Sequence, residues 1–105
     1  MPWIMLSLAI VSEIIGTTAL KLTHGELRPV PVAIVAIGYL VSFAAMAKAL
    51  ISIDVGVAYA IWSGIGTAAV AVIGALAFGE VITLSRAIWL LVIIVGVVGL
   101  QLSSM

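Results

Sequence analysis

At 105 residues, 66% of them hydrophobic and 8% charged, with no net charge and a mean hydropathy of +1.49, the chain is far more apolar than a soluble domain, where about a quarter of residues carry charge. It reads as an integral membrane protein, and four basic residues in all exclude a nucleic-acid-binding patch. Without cysteine there is no disulfide framework or thiolate site, and one histidine cannot build a metal centre alone, so neither metal nor cofactor is called for.

Breakers and lengths divide the chain into four apolar segments, because periodicity is weak in helices that are apolar all round. The first spans about 3–20 and holds Glu13 in the stretch AIVSEIIGTTAL; Lys21 and the polar run from Thr23 to Pro29 close it. The second spans about 30–50, with Pro29 and Pro31 tolerated in its first turn. After Ser52, Asp54 stands as N-cap of a third helix over about 55–78, and Gly79, Glu80 and Thr83 separate it from a fourth over about 84–102. Each segment suits the ~20 residues that cross a ~30 Å hydrocarbon core. Residues 1–105 are thus expected to form one transmembrane domain, all-α, with four helices. The first segment lacks a positive n-region and is expected to stay uncleaved. No alternating strands suggest a β-barrel, and no stretch is left for a soluble nucleotide-binding domain, so any work is done inside the bilayer and driven by an ion or a gradient.

Lys21, Arg28 and Arg86 fall on one side of such a membrane and Lys48 on the other, a count that weakly favours termini away from the cytoplasm. A bias this small is compatible with insertion both ways.

Glu13 is the deepest charge: at 1.5 Å per residue it lies about 15 Å from Trp3 and about 10 Å from Leu20, near mid-bilayer. Lys21, Lys48 and Arg86 sit near helix ends and can snorkel, whereas a charge at the midplane costs about 2.5 kcal/mol or more. Loss of water disfavours the charged form, so such a carboxyl can hold a proton or a cation by turns. If the two exclude one another, an inward proton gradient can drive cation export.

On the Glu13 face, Ala9, Gly16 and Thr17 at i−4, i+3 and i+4 leave space beside the carboxylate and offer a hydroxyl. Tyr39, Ser42 and Phe43 share a face of the second segment, and Tyr59, Trp62 and Ser63 share one of the third. Aromatic faces suit organic cations and the hydroxyls can donate to a carboxylate, although aromatic pairs at this spacing also serve plain packing. Gly64 and Gly66 make either a packing notch or a bending point, a hinge in a transporter. Gly96 and Gly99 form a small-residue face on a fourth segment free of ionisable residues from Ala87 to Leu100, suited to subunit contact. Trp3 and Trp89 read as interface anchors, and His24 as a solvated loop residue.

SEIIGTTALK at 12–21, GYLVSF at 38–43 and above all GVAYAIWSGIG at 56–66 resemble the small multidrug resistance family of proton-coupled transporters, over essentially the full length. The resemblance implies a multi-pass protein of the bacterial cell (inner) membrane. It implies an antiparallel homodimer of oppositely inserted protomers whose two Glu13 carboxylates bind protons and a cationic small molecule alternately. It also implies that Tyr39, Ser42, Tyr59 and Trp62 line a shared pocket and that the fourth helices carry much of the dimer contact.

Within that family, Gly16 and Tyr39 look like the quaternary-ammonium and multidrug subtype, since guanidinium exporters typically carry a tryptophan at the first position and no tyrosine at the second. Trp89, GIGTAAVAVIGALAFGE and GVVGLQ look more like the guanidinium exporters. Pocket positions are weighted above scaffold, so export of hydrophobic or quaternary ammonium cations is expected, with guanidinium export as the alternative. A subunit of a paired heteromeric transporter is a further reading. A channel fits poorly, because one carboxylate per chain makes a poor hydrated path.

Overall fold

The structure, a computed structural model, describes residues 1–103 and contains four helices in the described residues: α1 (Pro2–Leu22), α2 (Pro29–Ala49), α3 (Val55–Ala77) and α4 (Leu84–Ser103). With 20 to 23 residues each they are about 30–35 Å long, which is the thickness of a hydrocarbon core. All four are long and apolar enough to cross a membrane, as expected for an all-α membrane protein. Their ends fall within two residues of the sequence-derived bounds. The chain divides into two compact units, Met1–Asp54 and Val55–Met105, each built on an antiparallel helix pair.

In the first unit, proline opens both helices, where its missing N–H costs nothing. α1 runs one residue past Lys21 because its last carbonyls find donors: the Thr23 hydroxyl bonds Leu20 O at 2.7 Å and the Arg28 guanidinium bonds Leu22 O at 2.8 Å. His24 and Gly25 then turn the chain at positive φ (52° and 78°), and Lys21 and Lys48 place positive charge at the negative ends of α1 and α2.

The seam between α1 and α2 is made of small residues. A Cβ on Gly38 would stand 2.9 Å from the Ser12 carbonyl oxygen and 3.1 Å from the Gly16 Cα, so the backbones of the two helices are nearly in contact. Higher on the same seam the fully buried Ser42 donates its hydroxyl to the Ala9 carbonyl at 2.7 Å.

Asp54, the last residue of the first unit, stands at the N-cap position of α3. α3 ends at Ala77, and Gly79 (φ 68°) lets the Glu80 N–H return to the Gly74 carbonyl at 3.0 Å. Thr83 starts α4 by accepting the Arg86 N–H on its hydroxyl at 3.2 Å. α3 and α4 meet where Gly64 faces Val97, the one buried residue of α4 among those described.

The seam sets a stability test. Gly38→Ala must push the α1 and α2 backbones apart and is expected to cost about 1–3 kcal/mol, whereas Gly56→Ala, where an added Cβ meets nothing within 4 Å, should be neutral or slightly stabilising. Unfolding of the purified protein in mixed micelles by SDS titration measures both, and equal midpoints would refute the close approach.

Candidate functional site

Glu13 is half-buried near the middle of α1. Helical spacing stacks Thr17 over it, and the Thr17 hydroxyl donates to Glu13 Oε1 at 2.7 Å, a short charge-assisted bond when the carboxyl is ionised. From α2, the Tyr39 hydroxyl comes within 2.9 Å of Thr17 Oγ1. A threonine hydroxyl owns one proton; with the carboxyl ionised that proton goes to the carboxylate, and Tyr39 is then the donor to Thr17. The result is a chain of donors, Tyr39 to Thr17 to Glu13, that crosses from one helix to the other.

Gly16 makes the chain possible. A Cβ at this position would lie 2.9 Å from both Cδ1 and Cε1 of Tyr39, so the ring rests directly on the α1 backbone and its hydroxyl is aimed at Thr17. The expected open space beside Glu13 is thus occupied by the tyrosine ring. The neighbouring Gly38 lets the helices approach closely enough for a side chain of α2 to reach the Glu13 face at all.

Of the remaining expected site residues in this unit, Ala9 and Ser42 pair with each other: Ala9 is fully buried and its carbonyl takes the Ser42 hydroxyl. That hydroxyl therefore ties the helices together, while Thr17 and Tyr39 serve the carboxylate. Phe43 is 58% exposed, with its ring centroid 6.4 Å from that of Tyr39.

The second unit holds the other expected residues. Tyr59 and Trp62 make an edge-to-face pair at 5.5 Å, Tyr59 being 61% exposed, and Ser63 is exposed beside them. Gly66 is buried, and a Cβ on Gly64 would collide with the Val97 side chain, so Gly64 acts as a packing notch for α4. Gly96 and Gly99 are exposed, with open space where a side chain would be.

Sequence reasoning singled out Ala9, Gly16 and Thr17 but missed Ser12 and Gly38, which form the seam. The signal was available: Gly38 and Ser42 stand four apart, as do Ser12 and Gly16, the small-xxx-small spacing of closely packed membrane helices.

Four membrane-length helices and a mid-helix carboxylate bonded by a threonine hydroxyl define a small multi-spanning membrane protein with an acidic side chain at the middle of its first helix. The chain belongs to the Small Multidrug Resistance protein family, which it matches over residues 1–93. It is 46% identical over 99 residues to the multidrug resistance protein EbrB of Bacillus subtilis (strain 168), covering 94% of this chain and 85% of that one. It is 43% identical over 102 residues to the nicotine metabolites export pump subunit NepA of Paenarthrobacter nicotinovorans (97% and 88%), and 39% identical over 104 residues to the guanidinium exporter of Escherichia coli (strain K12) (99% of each chain). The protein is accordingly a transporter of the bacterial cell (inner) membrane, multi-pass.

The geometry makes Gly16 and Thr17 steps of one contact. Gly16→Ala is expected to displace the Tyr39 ring and break its bond to Thr17, shifting the Tyr39 ring carbon resonances in NMR spectra in the same direction as Thr17→Val does. Unchanged Tyr39 resonances in Gly16→Ala would contradict the packing.

Proposed function

We propose that this chain is a proton-coupled antiporter that exports hydrophobic or quaternary ammonium cations, with Glu13 binding protons and the cation by turns. The observation that carries this reading is the Tyr39–Thr17–Glu13 chain: a carboxyl at mid-span bonded to the Thr17 hydroxyl, which is bonded in turn to the Tyr39 hydroxyl, groups that can donate or accept. A lysine or arginine partner would fix the carboxylate in its charged form. Hydroxyls serve both forms.

When Glu13 is ionised, the donors point toward it. When it is protonated, its own O–H can donate to Thr17, Thr17 to Tyr39, and the direction of the chain reverses without moving a heavy atom. A cation drawn to the carboxylate competes with the proton for the same charge, so one carboxyl couples the two fluxes in opposite directions. The remaining expected pocket groups, Ala9, Ser42, Phe43, Tyr59, Trp62 and Ser63, shape the surroundings, the aromatic rings offering their faces to an organic cation. The working unit is an antiparallel homodimer, its contact made through the open faces of Gly96 and Gly99, and alternating access bends α3 at Gly64 and Gly66.

The pocket-side argument for bulky cations is Gly16 under Tyr39. Guanidinium export is favoured instead by the match at full length to a guanidinium exporter, and a paired heteromeric transporter by the match to a pump subunit.

Proteoliposomes with an imposed proton gradient separate these readings. Wild-type protein is expected to move a tetraalkyl or aryl ammonium cation against its gradient, Glu13→Gln to lose driven transport, and Thr17→Val to retain it at a rate reduced about tenfold, the order expected for a lost interaction of ~1.4 kcal/mol. Driven transport by Glu13→Gln would sink the coupling role of Glu13. Movement of guanidinium alone would overturn the substrate class, and a folded but silent protein would point to a missing partner chain.

A further inference from the structure

The α3/α4 pair carries a second feature that transport does not use. An apolar groove with a cavity of about 750 Å³ runs between the two helices, lined by Ile65, Ala68, Ala69 and Val72 on α3 and by Ala87 and Ile94 on α4 among others. Three of these six are alanines, whose short side chains leave the space open. From Ile65 to Ile73 the groove extends about 12 Å along α3. That is close to the ~15 Å depth of one leaflet's hydrocarbon. It begins near mid-helix and ends at the α3–α4 connector, where Ile82 completes the lining.

Charge at that end is unevenly placed. This unit has two charged side chains, Glu80 and Arg86. The Glu80 carboxylate lies against Gly74, which at 3.6 residues per turn is about 100–180° around α3 from the groove-lining residues of that helix, so the acid stands on another face of α3. Arg86 is exposed, adjacent to Ala87 and one turn before Leu90, and its Nη1 donates to the Val81 carbonyl at 2.8 Å. That bond folds the guanidinium back over the connector, at headgroup depth, and uses one of its five N–H donors.

We propose that this groove holds an anionic phospholipid of the surrounding bilayer, one acyl chain lying along α3 and α4 and the phosphate on Arg86. A helix of a second copy would bury an apolar strip along the whole span. The groove instead covers half the span and finishes in a single basic group where a phosphate sits, which is the pattern of a lipid.

Native mass spectrometry of the purified protein in a mild detergent, with phosphatidylglycerol and phosphatidylcholine in competition, tests this. The anionic lipid should be retained about fivefold over the zwitterionic one, the factor given by one basic group near an anionic surface. Arg86→Gln should remove that preference, and Ala69→Phe, which fills the groove, should reduce retention of both lipids. Because the chain has no cysteine, Ile88→Cys, exposed beside the groove, can carry a single fluorophore in liposomes whose phosphatidylglycerol or, in a parallel sample, phosphatidylcholine is acyl-brominated, with stronger quenching by the anionic lipid as the expected readout. No preference, a preference that survives Arg86→Gln, or disulfide crosslinks between chains in unlabelled Ala69→Cys would overturn the proposal, the last assigning the groove to a second copy.

Discussion

A carboxyl group halfway along a membrane-spanning helix must be given its hydrogen bonds by the protein, because lipid has none to offer. Everything distinctive about the first helix pair follows from meeting that demand. Glu13 takes one bond from Thr17, a turn further along its own helix, and Thr17 is in turn reached from α2 by Tyr39. The second step is available only if the two helices nearly touch, which requires glycine at 16 and at 38, the latter against the Ser12 backbone carbonyl. The seam also has to stay in register. Ser42 secures this by bonding the Ala9 carbonyl, one turn from Glu13 on α1, in a site closed to solvent and lipid alike.

The hydroxyls differ in kind from the usual partners of a buried acid. An arginine or lysine would stabilise the carboxylate and leave the protonated form without a favourable partner, and a backbone amide would do the same on a smaller scale. A threonine and a tyrosine can each donate and accept, so either form of the carboxyl can be given a hydrogen bond. On the proposed mechanism that matters: the choice between proton and cation is left to the gradient and to the substrate. Apart from the Glu13 carboxyl, neither hydroxyl partner carries a formal charge, so the chain does not repel an arriving cation.

Much of the scaffold was legible in the sequence, because membrane helices are written in length and composition. Segments of about 20 apolar residues between Pro, Gly and charged breakers can hardly be anything else, and the helix ends came out within two residues. The Thr17 partnership was also legible, since i and i+4 share a helix face whatever the tertiary structure. What could not be read was the destination of each hydroxyl on α2. Tyr39 and Ser42 stand three apart on one face, yet one reaches toward Glu13 and the other bonds the α1 backbone. That difference depends on how closely and at what level two helices meet, which in turn depends on single missing side chains at Gly16 and Gly38. The glycines of α3 and α4 were equally ambiguous. Gly64 receives Val97, whereas Gly96 and Gly99 face open space, although all three are small residues in apolar helices.

Gly16 and Tyr39 are physically one determinant. With the tyrosine ring already lying 2.9 Å from where a Cβ would begin, no larger residue fits at 16 while Tyr39 keeps this position. A tryptophan at 16 would therefore demand that position 39 give up its tyrosine or turn it elsewhere. Tyr39 can also do what a residue fixed at 16 cannot: it is a side chain from the opposite helix, free to swing off the α1 backbone by rotation about χ1. If it does so when a bulky cation arrives, Gly16 is uncovered and the carboxylate gains room, at the cost of one hydrogen bond to Thr17. The space for a large substrate would then be held in reserve beneath the ring, and the residue that closes it would also be the one that donates toward Glu13.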